Sequence, residues 1–193
     1  MGGRVALRAG WSPVVLLRPE LPTDAAAVRE LHRVAFGDHG EVVAGLVDDL
    51  RADDRAVGLV AEDDGVVVGH VLLVPGLLDA PRRLVPVYTL SPLAVLPGSQ
   101  RRGTGSALVR AGLREMAARD VPVVFLEGDP AFYRRLGFVA GADHGFRRPS
   151  LRIPEPAFQA ALLPAYEPWM TGTHVYAEAF WRHDAVGLRD PDA

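Results

Sequence analysis

The sequence predicts a single α/β (α+β) domain, and three stretches carry that prediction. Residues 57–61 and 66–74 are β-branched runs joined by Glu62-Asp63-Asp64-Gly65, whose Asp-Gly end is a strong hairpin signal. Residues 87–113 read VYTLSPLAVLPGSQRRGTGSALVRAGL, an apolar run that breaks at Pro97-Gly98 and passes Gly103-Thr104-Gly105 into a helical period. Residues 121–126 form a continuous apolar run typical of a central strand, closed by Glu127-Gly128-Asp129-Pro130. A hairpin, a strand–turn–helix unit and a buried strand fit one core in a chain of 193 residues.

The remaining elements follow in order. Residues 14–17 are a short strand, and Thr23-Asp24 supplies an N-cap for a helix over 25–36, with Val28, Leu31, Val34 and Ala35 as its stripe and Gly37 as its stop. A second helix over 41–50 carries Val42, Val43, Leu46 and Leu50. Residues 76–83 read as a loop and 85–96 as a strand, in which Pro92 lacks an N–H and predicts a bulge or locally open pairing. Beyond the glycine turn, Val109, Leu113, Met116 and Ala117 define an apolar stripe opposite Arg110, Arg114 and Arg119. Asp129 caps a short helix with Pro130 at its first position. Gly137 then ends that helix, 140–149 is loop, and 158–163 and 172–176 are final strands before a polar, mobile tail over 182–193. The core is expected to span about 14–180.

Composition narrows the function. Hydrophobic residues make up 49% and charged residues 23%, the balance of a folded globular protein. A net charge of -3 gives no basic surface for nucleic acid, and no run approaches the length of a membrane span. No signal peptide is read in residues 1–6, so the protein is expected in the cytoplasm. Cysteine is absent, which removes thiolate metal sites and a cysteine nucleophile. The six histidines show no i, i+4 pairing and are expected to be structural or exposed, so no metal site is predicted. No Gly-x-Ser-x-Gly elbow is present, which argues against a serine hydrolase.

The glycine turn is the chemical signal. A helix N-terminus offers unpaired backbone N–H groups and partial positive charge, and so receives an anion such as phosphate. Gly103 and Gly105 remove side chains from that approach, while Arg101 and Arg102 add charge. The turn fails the P-loop pattern because all 21 basic residues are arginine, and it lacks the third glycine of a dinucleotide fingerprint. Gln100, Gly103 and Gly105 instead fit Gln/Arg-x-x-Gly-x-Gly/Ala, and GDPAFYRRLGF downstream carries a YxxxGF segment at Tyr133, Gly137 and Phe138. With LSPLAVLP, these patterns make the chain resemble the GNAT acetyltransferase superfamily, over about residues 16–180.

That resemblance implies a mixed, mostly antiparallel sheet with helices on both faces and a splayed central strand pair. It implies acetyl-CoA as cosubstrate and no metal. The CoA pyrophosphate would lie over Gln100, Arg101, Arg102, Gly103, Thr104, Gly105 and Ser106, and the pantetheine arm would pair with the backbone of Leu93, Ala94 and Val95. Tyr133 matches the position that protonates the departing thiolate. Glu127, at the end of a central strand, is the best-placed general base, acting directly or through water; the other reading is a loop carboxylate near a helix start. The acceptor is expected to be a primary amine, on a small molecule or peptide, walled in part by the helices of 25–50, and the protein a monomer or homodimer. A non-catalytic acyl-CoA-binding module is the competing class.

Overall fold

The computed structural model describes residues 15–187. Its elements are β1 (Leu16–Pro19), α1 (Ala25–Ala35), α2 (Gly40–Arg51), β2 (Val57–Asp63), β3 (Val66–Asp79), β4 (Leu84–Val95), α3 (Thr104–Ala118), β5 (Val123–Glu127), α4 (Pro130–Tyr133), β6 (Val139–Ala140), β7 (Phe146–Arg147), β8 (Phe158–Leu162), β9 (Gly172–Val175) and α5 (Glu178–Arg182). One sheet runs β1-β2-β3-β4-β5-β8-β6, and β9 joins the far end of β3 and pairs with β7. Among the described residues only β4–β5 and β7–β9 pair in parallel. The expected mixed, mostly antiparallel sheet is therefore present.

Side-chain alternation sends successive residues of the central strands to two cores. On one face Leu72, Val74, Val87 and Phe125 pack with Leu46 and Leu50 of α2 and with Phe180 of α5. On the other, Val71, Leu73, Val124 and Leu126 pack with Leu108, Val109 and Met116 of α3. Helices thus cover both faces. The buried stripes differ in detail from the predicted ones: Val34 and Val42 are exposed, and His32 and Val47 take the inward positions. A helix of 3.6 residues per turn admits neighbouring stripes, and the partner strand decides between them.

The hairpin turn is as expected, with Asp64 and Gly65 both at positive φ (48° and 79°). Three expectations need correction. Residues 76–79 are not loop: β3 continues to Asp79 because Leu77, Leu78 and Asp79 find partners on both sides, in β4 and in β9. The loop predicted over 140–149 contains β7, held by Gly172 and Thr173 of β9. The tail is not mobile from Arg182; Val186 is fully buried, His183 Nε2 lies 2.6 Å from Asp49, and Arg152 pairs with Asp184. Expectations on residues 1–14 and 188–193 lie outside the described residues.

Two features of the strands position the site. Val71 faces Leu93 and Leu73 faces Leu90, so Ser91 and Pro92 stand opposite Leu72 alone, the bulge that Pro92 predicted. β4 then parts from β5, which it meets only at Tyr88–Val124 and Thr89–Phe125. A bulge bends its strand, and a proline cannot donate to a ladder, so Pro92 lies within the parted stretch that starts just beyond Thr89.

Candidate active site

The turn between β4 and α3 is built by short-range geometry. Gln100 Nε2 donates to the Val95 carbonyl at 3.0 Å, tying the turn to the end of β4. Arg101 and Gly103 adopt positive φ, 61° and 86°, which reverses the chain before Thr104. A Cβ at Gly103 would meet nothing within 4 Å, so glycine is required there by backbone conformation. Ala107 N–H donates to Gly103 O at 2.9 Å, and the amides of the residues between them have no partner inside the helix.

These amides border a cavity of about 570 Å³ lined by Leu93, Val95, Ser99, Gln100, Arg101, Gly103, Gly105, Ser106, Phe132 and Arg135. The cavity carries two guanidinium groups and no carboxylate, which suits a polyanion. Most predicted cofactor residues therefore meet at one place. Ala94 does not line the cavity; strand alternation turns its side chain to the opposite face, where it is 3% exposed. Thr104 is buried, its methyl directed toward Gly69 of β3, and Arg102 is exposed outside the lining. Sequence reasoning missed Ser99, Phe132 and Arg135. Phe132 and Arg135 flank Tyr133 and form a cation–π pair, the guanidinium 5.8 Å from the ring centroid.

Tyr133 comes from α4, whose start is fixed by Asp129 accepting from Ala131 N–H at 2.8 Å. Its ring lies so close over Gly128 that a Cβ there would come within 2.3 Å of Cε2, which accounts for that glycine. Phe132 and Phe138 contact the ring edge-on. Burial pushes the Tyr133 phenol up to about 12, and its hydroxyl makes no hydrogen bond to the described residues.

Glu127 ends β5 and is half-buried. Burial raises its pKa, and three favourable neighbours work against that rise: the Tyr176 hydroxyl donating at 2.6 Å, the Gly187 N–H, and Arg152. A carboxylate with raised pKa at a strand end can accept a proton from a substrate. Tyr133 packs with the α3-side core, whereas the partner of Glu127, Tyr176, belongs to the α2-side core. The two groups thus belong to opposite faces at the end of the parted strands.

Three of the six histidines are buried in structural places. His32 and His70, 38 residues apart, meet at 2.8 Å in the interior, where His70 Nε2 donates to Glu20 at 3.0 Å. That fixes His70 Nδ1 as acceptor and His32 Nε2 as donor. Desolvation lowers His70 and takes His32 down to about 3. His174 is likewise buried and lowered to about 3, its Nδ1–H donating to Leu77 O and its Nε2 accepting from Thr89. All three are structural, and among the described residues no group of acidic and histidine ligands could hold a metal.

With this geometry in place, the comparisons identify the class. The family described as acetyltransferase (GNAT) domain matches residues 17–141. The chain is 38% identical over 149 residues to the uncharacterized N-acetyltransferase YhbS of Escherichia coli (strain K12), covering 75% of this chain and 85% of that one. Among solved structures, Escherichia coli YhbS in complex with CoA superposes with a TM-score of 0.80 at 33% identity, covering 91% of this chain and 97% of that one. A GNAT family acetyltransferase from Brucella melitensis in complex with acetyl-CoA gives 0.69 at 32% identity, covering 86% and 97%. The chain belongs to the GNAT acetyltransferase family, and its class is N-acetyltransferase. No described helix is long and apolar enough to cross a membrane.

Proposed function

We propose that this protein transfers the acetyl group of acetyl-CoA directly to an amine. The observation that carries the reading is the cationic cavity at the start of α3, placed beside a β4 edge that has parted from β5. The likeness to CoA-bound and acetyl-CoA-bound relatives over most of the chain supports it.

Acetyl-CoA supplies an activated thioester. The residues of this chain divide the remaining work. The amides of 104–106, with Arg101 and Arg135, hold the pyrophosphate. The backbone of Leu93, Ala94 and Val95 holds the pantetheine arm. Glu127 takes the proton of the ammonium, directly or through water, so that the neutral nitrogen forms the C–N bond as the C–S bond breaks. Tyr133, a phenol and hence protonated at neutral pH, gives its proton to the departing thiolate and regains one from the new amide nitrogen, which the C–N bond leaves with one hydrogen too many. A cytoplasmic location belongs to the same reading and rests on the sequence.

Free-thiol release from acetyl-CoA, measured against a panel of small amines, aminoglycosides and peptides, tests the proposal. Amine-dependent release supports it. Tight CoA binding with no release on any amine would instead favour the acyl-CoA-binding module.

A further inference from the structure

A second cavity, of about 560 Å³, opens around β7 and the start of β8. Its size suits a small organic molecule. Phe146 and Phe158 give it apolar walls, and Leu151, 87% exposed, contributes an uncovered apolar side chain. Phe158 is the register partner of Glu127. Directly paired residues in an antiparallel ladder project to the same face, so this cavity is built on the face that carries the candidate base.

Its charge is as specific as its position. Arg147 and Arg148 both line it, against the single carboxylate of Glu155. Arg147 Nε donates to Thr173 Oγ1 at 2.9 Å, and the residue has no acidic partner among the described residues. Arg148 uses Nη1 for Glu155 at 3.2 Å, while its Nε is buried without a hydrogen-bond partner. Native structures pair nearly all buried donors, because an unpaired one keeps its full desolvation cost. Glu155 engages Arg148 through Nη1 alone, so the cavity holds two guanidinium groups against one carboxylate, an excess that matches a carboxylate or phosphate.

We propose that this cavity holds the anionic end of the acceptor, so that the substrates are amines that also carry a carboxylate or phosphate beside an apolar portion. The inference rests on the acetyl-transfer reading. Two matched pairs test it by thiol release: phenylalanine against phenylalaninamide, and O-phosphoethanolamine against ethanolamine. The anionic member of at least one pair should have a kcat/KM about tenfold or more above its neutral partner, as expected for a charge-assisted hydrogen bond. Whichever pair responds identifies the anion. The Arg147→Gln/Arg148→Gln double variant should lose that preference while keeping its KM for acetyl-CoA and its rate with the neutral amine. Glu155→Gln, which removes the competing carboxylate, should increase the preference. Equal rates within both pairs, or a preference that survives in the double variant, overturns the proposal. If no amine releases thiol, the acetyl-transfer reading fails by itself, and calorimetric titration of CoA-saturated protein with inorganic phosphate and with benzoate decides the cavity. Binding lost in the double variant retains the anion site; binding absent, or unchanged by the double variant, removes it.

Discussion

Tyr176 donates a 2.6 Å hydrogen bond to Glu127, joining the end of β9 to the end of β5 across 49 residues of sequence. The bond favours the carboxylate, whereas burial favours the acid, and burial is the larger influence. A general base must be deprotonated, so the rate should rise with pH through the Glu127 ionisation. Tyr176→Phe removes one group that stabilises the carboxylate and should move that limb to higher pH. A pH profile of kcat/KM for both proteins measures the move; superimposable profiles would mean that Glu127 is not the base.

Gly105 tests the phosphate cavity more cleanly than Gly103, because the left-handed φ of 86° at Gly103 adds backbone strain to any substitution. A Cβ at Gly105 would come within 3.7 Å of Phe132 Cζ and Val95 Cγ2, at the cavity wall. Gly105→Val should weaken CoA binding by about tenfold or more, since its added methyls crowd the amides that face the pyrophosphate. Isothermal calorimetry with CoA gives the affinity and a thermal melt checks the fold. Unchanged affinity in a folded variant places the pyrophosphate elsewhere.

Tyr133→Phe keeps the ring against Gly128, Phe132 and Phe138 and removes only the hydroxyl, which has no partner to lose among the described residues. Positioned proton transfer contributes roughly 10²–10⁴-fold, so kcat should fall by that order while acetyl-CoA affinity is nearly constant. Normal turnover with the best acceptor would make Tyr133 a packing residue.

Acid should destabilise the fold through its buried histidines. An unfolded histidine titrates near 6.5, whereas His32 and His174 are lowered to about 3 in the fold. A depressed folded pKa gives stability that is fully present above about 6.5 and is lost as pH falls toward 3. At pH 5 each should therefore have lost about 2 kcal/mol. Thermal melts at pH 7.5 and 5.0 should differ by several degrees, and His174→Gln should narrow the difference. An equal difference in both proteins would show that His174 is protonated without cost.

Legibility in the sequence followed distance along the chain. The Asp64-Gly65 hairpin, the Gly103 turn and the Asp129 cap are decided by residues within a few positions of one another, and each appears where its local chemistry puts it. The continuation of β3 to Asp79 depends on Leu77 meeting Val175, and no local pattern in 76–79 signals it. The same holds for the His32–His70 pair, for Val186 entering the core, and for Tyr176 reaching Glu127. Within the candidate site, the glycine motif pointed to the turn, and Pro92 to the bulge. The second guanidinium of the cavity, on Arg135, was hidden because it fills an unspecified x position of the YxxxGF segment, where the pattern sets no residue type.

The parting of β4 from β5 also bears on how long the enzyme survives. Beyond Thr89, one side of β4 runs without a β5 neighbour, and the peptide groups there have hydrogen-bonding capacity that only a folded chain can offer in register. In the proposed function an amide-bearing carrier binds that side, and it can do so only on the native protein. Mass action then couples occupancy to persistence: a carrier at a hundred times its dissociation constant adds about 2.7 kcal/mol to the free energy of unfolding. Unfolding, and the proteolysis that follows it, would slow when the acyl carrier is abundant and quicken when it is scarce. The amount of enzyme in a cell would then track the supply of its own donor without any dedicated sensor.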